Sequence, residues 1–383
     1  MDSERTPSSF QVRPVASRRD LRRFVAFPYA FYRDNAYWVP PLRREVFRTL
    51  HPKKNPFFEH GEIQPFLAED SAGRILGRIA AVVNGMHLKT HADGNGFFGF
   101  FECVEREDVA RALLDAACEW LARRGLSGAR GPANPSLNDV SGLLVRGFDR
   151  EPSILMPYNP PYHEEYLLRY GFQRAMTMWA YYVHRKYVQT ERLRRGVEIV
   201  KRRNPGLQLR TLDMRRFEED TRVFIDIYND AWSGNWGHVP LTEAEAKKLA
   251  RDMRPIIDPS LVFILEMDGE PVAFSVSLPD ANQLLRKLRD GRLFPFGFAR
   301  LALYARFGAI TDIRTALMGV LRKYHGRGFD AILNLATIDE GYRRGYQGAE
   351  LSWVLDSNRI LRNIMDDLGA VVDKEYALFE KRF

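Results

Sequence analysis

Cysteine is almost missing from this chain: Cys103 and Cys118 are the only two in 383 residues. Two thiols cannot build a disulfide framework or a cysteine-rich zinc site, and they fit a reducing cytoplasm. Cys118 falls on the apolar side of a helical pattern and reads as core. Long apolar runs are missing too. No stretch of ~18 residues is free of charge, so no helix is expected to span a bilayer. The N-terminus, MDSERTPSSFQ, has no apolar h-region, so no secretory leader is expected. Metal patterns are equally thin. His87 and His91 share one-turn spacing, but no helix is expected there and no third ligand is evident. Asp93-Gly-Asn-Gly is a turn without the rest of a calcium loop. No run of basic and aromatic residues forms a nucleic-acid platform, so nucleic acid is not an expected partner.

What is present is an ordinary folded composition, 45% apolar and 28% charged. The 57 Lys and Arg exceed the 49 Asp and Glu by eight, for a formal charge of +8. A small cationic excess suggests an anionic partner: a nucleotide, a phosphate-bearing cofactor, acidic lipid or nucleic acid. The length favours two cores.

The two halves show the same order of elements, α/β (α+β) in class. In the first, alternation predicts strands at Ile63–Ala68, Ile75–Val83 and Phe97–Cys103, then a helix at Glu107–Arg124. Ala110, Leu113, Leu114, Ala117 and Leu121 keep helical spacing, and Gly125 closes the helix. A strand at Leu126–Gly131, a short helix at His163–Tyr170 and a strand at Phe172–Val183 follow. In the second half, strand Leu207–Leu212 precedes helix Phe217–Trp232 and a helix capped by Thr242 with Glu245. Then come a hairpin (Leu261–Met267, Pro271–Ser277), strand Arg314–Val320, helix Phe329–Arg344, strand Ala349–Leu355, helix Arg359–Leu368 and strand Val371–Glu380. Both halves end in a helix, a glycine and a long strand: LLRYGFQRAMTMWAYYV and MDDLGAVVDKEYALFE. The expected domains are 1–186, with an N-terminal extension, and 206–383. A basic linker at 187–205 joins them, and an insertion at 279–312 interrupts the second.

The most informative segment is Met318-Gly-Val-Leu-Arg-Lys-Tyr-His-Gly-Arg-Gly-Phe-Asp330. An apolar strand enters a cationic, glycine-rich loop, and an amphipathic helix starts at once. The first-turn N–H groups of such a helix point outward unpaired, and glycines let the backbone approach a guest closely. Lys323 and Arg327 add positive charge. A pyrophosphate suits this site.

The loop and its setting resemble the GNAT superfamily of acyl-CoA-dependent N-acyltransferases, whose loop pattern is Arg/Gln-x-x-Gly-x-Gly/Ala. Here it reads Lys323-Tyr-His-Gly326-Arg-Gly328, with Lys in place of Arg or Gln. Glu350-Leu-Ser-Trp-Val-Leu-Asp-Ser-Asn358 resembles the family's fifth strand and the Asn that begins the fourth helix. The resemblance covers Leu207–Phe383 well. It implies a tandem GNAT-like fold of mixed sheets flanked by helices, with acyl-CoA as co-substrate. The first half resembles a copy whose loop is lost, because Val-Glu-Arg-Glu-Asp there is acidic and lacks glycine. The layout is similar to a bacterial tandem branch to which bacterial ceramide synthases are related. On this resemblance the cofactor residues are Met318, Gly319, Val320, Lys323, His325, Gly326, Arg327, Gly328, Phe329 and Asn358. The acceptor loop Asn229–Gly237 supplies Trp232, Asn235 and Trp236, with Asn282 beside it.

Amide formation on a thioester needs a neutral amine, a polarised carbonyl and a leaving thiolate. The family's general acid is a Tyr four residues before the closing Gly; that position here is Met365, which has no proton to give. Tyr376, Tyr324 or water are the alternatives, and no sequence feature chooses. Alternation puts Glu350, Ser352, Val354 and Asp356 on one strand face, so Glu350 and Asp356 are the candidate bases. No metal is called for.

Residues 284–307 hold six cations (Arg286, Lys287, Arg289, Arg292, Arg300, Arg306) among Leu, Phe and Tyr. Such an element can lie on anionic lipid, or pack on the first domain with its charges in water. The expected function is transfer of an acyl group from coenzyme A to an amine, with a long acyl chain and a sphingoid-type amine as the finer reading. The expected location is cytoplasmic, peripheral on the inner membrane. The alternatives are an acyl-CoA- or lipid-sensing module and an aminoacyl-tRNA-dependent transferase of the same fold; Gly326-Arg-Gly328 counts against the latter.

Overall fold

A computed structural model describes residues 9–293, 295–297, 299 and 310–383. Two compact units divide the chain, and each takes a strand from the other half. One unit holds the chain up to Met176, the segment from Leu288 and Tyr376–Phe383; the other holds Thr177–Lys287 and the chain on to Glu375.

In the N-terminal unit the alternating runs form strands in the order Phe10–Pro14, Gly61–Asp70, Ile75–Asn84, Asn95–Cys103, Gly128–Gly131 and the end of Val371–Arg382. Every pairing is antiparallel except Asn95–Cys103 with Gly128–Gly131. The helix Glu107–Ala122 covers the sheet with Val109, Ala110, Leu113, Leu114, Ala117 and Leu121, each 1% exposed or less. Its 3.6-residue periodicity is what lets one stripe meet the sheet. The N-terminal extension is integral to the unit. Its strand Phe10–Pro14 pairs Gly61–Asp70, and the helix Arg18–Phe31 buries Phe24 completely.

The second unit repeats the same pairing pattern. Its order is Leu207–Thr211, Val262–Met267, Glu270–Pro279, Asp312–Val320, Gly348–Leu355 and the Gln173–His184 strand from Thr177 onward. Only Asp312–Val320 with Gly348–Leu355 is parallel. Each half's closing strand therefore pairs in the other unit. Met178–His184 lies against Gly348–Leu355, and Phe379–Arg382 lies against Gly128–Gly131. The two endings have the same helix, glycine and strand pattern, so local sequence cannot say which sheet each joins.

Two local expectations differ from the structure. His87 and His91 do lie on a helix, Gly85–His91, because Asn84 caps it by accepting from the His87 N–H. His87 is fully buried and its Nε2 meets Asp93 Oδ1 at 3.0 Å. The basic 187–205 stretch contains the helix Glu191–Arg203; its apolar spacing was masked by arginines. Leu193, Val197 and Val200 pack against the cluster of Phe329, Ile332 and Leu333. The capping box at Thr242 and Glu245 is formed as expected.

Of the insertion, Phe294, Phe298, Arg300 and 301–309, Arg306 among them, lie outside the described residues. The described segment from Leu288 belongs to the N-terminal unit, and the residues before it belong to the second. The Arg43 N–H donates to the Gly291 carbonyl at 3.0 Å and Arg43 Nε to the Asp290 carbonyl at 2.6 Å. Arg289 donates to the Asn35 carbonyl. Phe296 is 75% exposed. No helix among the described residues is long and apolar enough to cross a membrane.

Candidate functional site

The strand Asp312–Val320 creates the site by leaving its parallel neighbour. The two are paired from Asp312 with Gly348 to Thr315 with Leu351, and the register then stops. A bulge shifts the register against Glu270–Pro279 at the same point, between Val276 and Ser277. A bulge bends its strand, so the two parallel strands part. The edge from Ala316 to Val320 that faces the gap has no partner in Gly348–Leu355. Two side chains reach carbonyls on this strand: Trp232 Nε1 donates to Met318 O at 3.0 Å, and His325 Nε2 to Val320 O at 2.8 Å.

Beyond the strand, the turn Arg322–Tyr324 leads to Gly326 and Gly328, with φ of +76° and +80°. Only glycine enters this region freely. A Cβ on Gly328 would also stand 2.8 Å from Val200 Cγ2 of the basic helix. Gly328 is the N-cap of the helix Phe329–Arg344, which has no side-chain cap, so its first N–H groups are open to an anion. Phe329 is buried and stacks on Tyr324 at 5.4 Å; Lys323 and Arg327 lie 5.0 and 5.1 Å from the Tyr324 ring centre. Beside the loop an open cavity of about 490 Å³ is lined by Lys323, Tyr324, Arg327, Arg203 and Asp268, among others.

The loop Asn229–Gly237 meets the other side of this strand. Gly319 has room only for hydrogen against Phe274, with Ile227 and Ala231 next. The Arg322 N–H donates to Asp230 Oδ2 at 2.7 Å. Trp232 thus joins Met318 and Gly319. Asn235 and Trp236 sit half-buried one turn further, and Asn282 is buried at the start of the short helix Asn282–Leu285.

Four side chains that sequence reasoning did not join meet where the strands part. Arg314 and Glu350 are register partners. Arg314 Nε donates to Ser352 Oγ at 2.8 Å, and its NH2 donates to the Ser352 carbonyl at 3.0 Å. Ser352 Oγ donates to Glu350 Oε1 at 2.7 Å, and Lys374 Nζ donates to Glu350 Oε2 at 3.2 Å. All four are buried. Burial pulls the Lys374 ammonium pKa down, but Glu350 and Asp373 outweigh it and hold the pKa above the usual lysine value. A Cβ on Gly341 of the helix Phe329–Arg344 would stand 3.9 Å from Ile313 Cδ1, so Ile313 faces that helix and alternation turns Arg314 to the opposite face. That is the face on which Gly319 meets Ile227 and Ala231.

The remaining candidates are dispersed. Asp356 is at the surface, accepting from Trp179 Nε1 at 3.0 Å and Arg362 NH1 at 2.6 Å. Asn358 caps the helix Arg359–Asp367 by accepting from the Leu361 N–H. Tyr376 is fully buried and belongs to the N-terminal unit, while Met365 is fully buried in the second. Arg314 and Lys374 were missed because they come from other strands, and only the pairing register brings them to Glu350. Among the described residues no cluster could hold a metal ion.

The N-terminal unit has the same parting of parallel strands, after Phe97 and Arg130. Here the chain fills its own gap. A Cβ on Gly99 would stand 1.9 Å from the Ala133 carbonyl oxygen, and Asn134 Oδ1 accepts from the Phe100 N–H at 2.6 Å. The helix that follows opens with Glu107 and Asp108, which repel an anion.

No family model matches the chain. It is 36% identical over 390 residues to the bacterial ceramide synthase of Caulobacter vibrioides, covering 100% of both chains. It is 32% identical over 376 residues to the protein YghO of Escherichia coli, covering 97% of this chain and 95% of that one. Among solved structures, a tandem GNAT protein from the clavulanic acid biosynthesis pathway superposes with a TM-score of 0.56 at 10% identity, covering 98% of each chain. A GNAT protein from Sphaerobacter thermophilus gives 0.51 at 14% identity, covering 97% and 95%. The fold is a tandem GNAT fold, and the chain belongs to the family that contains the bacterial ceramide synthase of Caulobacter vibrioides and the protein YghO of Escherichia coli.

Proposed function

We propose that this chain is an acyl-CoA-dependent N-acyltransferase whose second half binds the co-substrate, and that it moves a long acyl chain onto a sphingoid-type lipid amine. The observation that carries the reading is the parting of Asp312–Val320 from Gly348–Leu355, next to an uncapped helix entry bent by Gly326 and Gly328. Open N–H groups, a helix dipole and the cations Lys323 and Arg327 suit a diphosphate. The strand edge at Met318, Gly319 and Val320, which Gly348–Leu355 does not pair, suits the amides of a pantetheine arm. His325 and Trp232 already bind two carbonyls there, so they border or yield to that arm. Phe329 supports the loop from beneath, and Asn358 closes the far end through its cap.

On the other face, Trp232, Asn235, Trp236 and Asn282 offer aromatic surface and amides to an amphipathic amine. Glu350 is the base that receives the amine proton; Asp356 is tied up with Arg362 and Trp179 and is the lesser candidate. Tyr376 belongs to the N-terminal unit, so the acid is Tyr324 or water. The name of the Caulobacter relative supports the lipid amine, and the exposed Phe296 among cations supports a peripheral position on an anionic membrane surface from the cytoplasmic side.

Calorimetric titration with acetyl-CoA, palmitoyl-CoA and free CoA tests this. Binding of palmitoyl-CoA by the wild type, lost in Gly328→Glu, is expected; no binding of any of the three sinks the proposal. The second reading is a sensing module without turnover, favoured by Met365 standing in the core where the family has a tyrosine. Tight binding without CoA release across amine acceptors selects it.

A further inference from the structure

We propose that the open cavity beside the glycine-rich loop seats the 3′-phosphorylated adenosine of coenzyme A, and that Arg203 binds its 3′-phosphate. The inference rests on the acyl-transfer reading above and extends it to the nucleotide end of the co-substrate. The cavity, of about 490 Å³, lies wholly within the second unit. Arg203 and Asn204 line it from the end of the basic helix, Asp268 from the hairpin turn, and Lys323 and Arg327 from the loop.

The pairing of charges sets this cavity apart from its surroundings. On the same helix Arg194 pairs with Asp339 and Arg202 with Glu198, and on the following strand Arg210 pairs with Asp220 and Glu266. Arg203, Lys323 and Arg327 form no ion pair among the described residues, although Asp268 lines the same cavity. The Asp268 carboxylate has no donor among the described residues either. The Asp268 N–H donates to the Gly206 carbonyl at 3.0 Å, and a Cβ on Gly206 would collide with Asp268 Oδ1, which holds the acid against that wall. Asn204 spends its amide nitrogen on the Val200 carbonyl at 2.8 Å and leaves its oxygen without a donor. One cavity thus offers three cations without an anion and two acceptors without a donor. A nucleotide carries both complements: phosphates for the cations, and an adenine amine and a ribose hydroxyl for Asp268 and Asn204. A bare phosphate answers only the cations and is repelled by Asp268.

The cations divide by the elements that carry them. Lys323 and Arg327 flank the Tyr324 ring and belong to the loop to which the diphosphate is assigned above. Arg203 belongs to the helix, whose Val200 Cγ2 would stand 2.8 Å from a Cβ on Gly328. It follows Val200 by three residues, about 4.5 Å along the axis. In coenzyme A one ribose separates the 5′-diphosphate from the 3′-phosphate, a comparable span. A guanidinium offers the paired N–H donors that match phosphate oxygens. The walls are exposed, so the gain is modest and sensitive to salt. The consequence is selection of thioesters that carry the nucleotide over thioesters on a bare pantetheine arm.

Calorimetric titration of the full-length protein with CoA and with 3′-dephospho-CoA tests this. The wild type is expected to bind CoA about tenfold more tightly, and that preference should shrink as salt is raised. Arg203→Ala should bring CoA down to the affinity of 3′-dephospho-CoA, which itself should not change; that constancy also reports a folded variant. Arg203→Glu should invert the preference. Adenosine 3′,5′-bisphosphate should compete with CoA, while inorganic phosphate at the same concentration should not. A wild type without the preference, or a preference unchanged in both variants, overturns the assignment while binding of palmitoyl-CoA leaves acyl transfer standing. Equal competition by inorganic phosphate overturns the nucleotide seat in favour of a general anion patch. A wild type that binds neither CoA nor palmitoyl-CoA overturns acyl transfer, and the assignment falls with it.

Discussion

A single buried carboxylate shows how much depends on its partners. Glu350 is 2% exposed, and Ser352 and Lys374 both donate to its carboxylate. Lys374→Met removes one donor and one buried positive charge beside Glu350 and Asp373. A stability loss of about 3–5 kcal/mol is expected by urea denaturation. Glu350→Gln keeps the shape, so it should lower CoA release by about 10²- to 10⁴-fold while palmitoyl-CoA still binds. His163 illustrates the opposite solution. It is fully buried, and desolvation lowers its pKa to about 4 from the ordinary 6.5. The folded state therefore keeps it neutral while the unfolded state binds a proton. Its stabilising effect is complete above about pH 6.5 and is lost as pH falls toward 4. Chemical denaturation at pH 7 and pH 4.5 should show a stability drop in the wild type that is smaller in His163→Leu.

At the scale of elements, the parted parallel strands appear twice and behave differently. In the second unit the gap borders Gly326 and Gly328, and in the first the chain fills it with Ala133 and Asn134. Gly99 and Gly131, in Gly96-Phe-Phe-Gly-Phe-Phe101 and Gly131-Pro-Ala-Asn134, thereby have a physical reason. Side chains at Gly99 and Gly131 would collide with the Ala133 and Phe98 carbonyls. The fill predicts a stoichiometry of one palmitoyl-CoA per chain in calorimetry; two would mean that the first gap opens. The helix Glu107–Ala122 was legible residue by residue, because its buried stripe is a local property. Leu113→Ala, with no exposure to soften it, should cost about 2–5 kcal/mol in thermal or chemical unfolding. The helix Glu191–Arg203 was not legible. Arginines crowd its apolar stripe, and only Phe329 and Ile332 across the interface reveal what that stripe covers.

For the whole molecule, the exchanged closing strands bind the two halves into one folding problem. The last strand segment, Tyr376–Phe383, is part of the N-terminal unit and pairs with Gly128–Gly131 there. Fragments cut at the expected boundaries, 1–186 and 206–383, each lack a strand of their own sheet. Expressed alone, both should show unfolded or aggregated behaviour in circular dichroism and gel filtration, and a folded, monomeric 206–383 fragment would contradict this pairing. The sequence by itself determined the α/β class, the doubling, the glycine-bent entry to Phe329–Arg344 and the residue types around it. These depend on periodicity, capping and backbone freedom, which act over a few neighbours. Only the tertiary structure decided which sheet each closing strand joins, which gap stays open, and that Arg314 and Lys374 meet at Glu350. Those outcomes depend on strand register between segments far apart in the chain, which neighbouring residues do not encode.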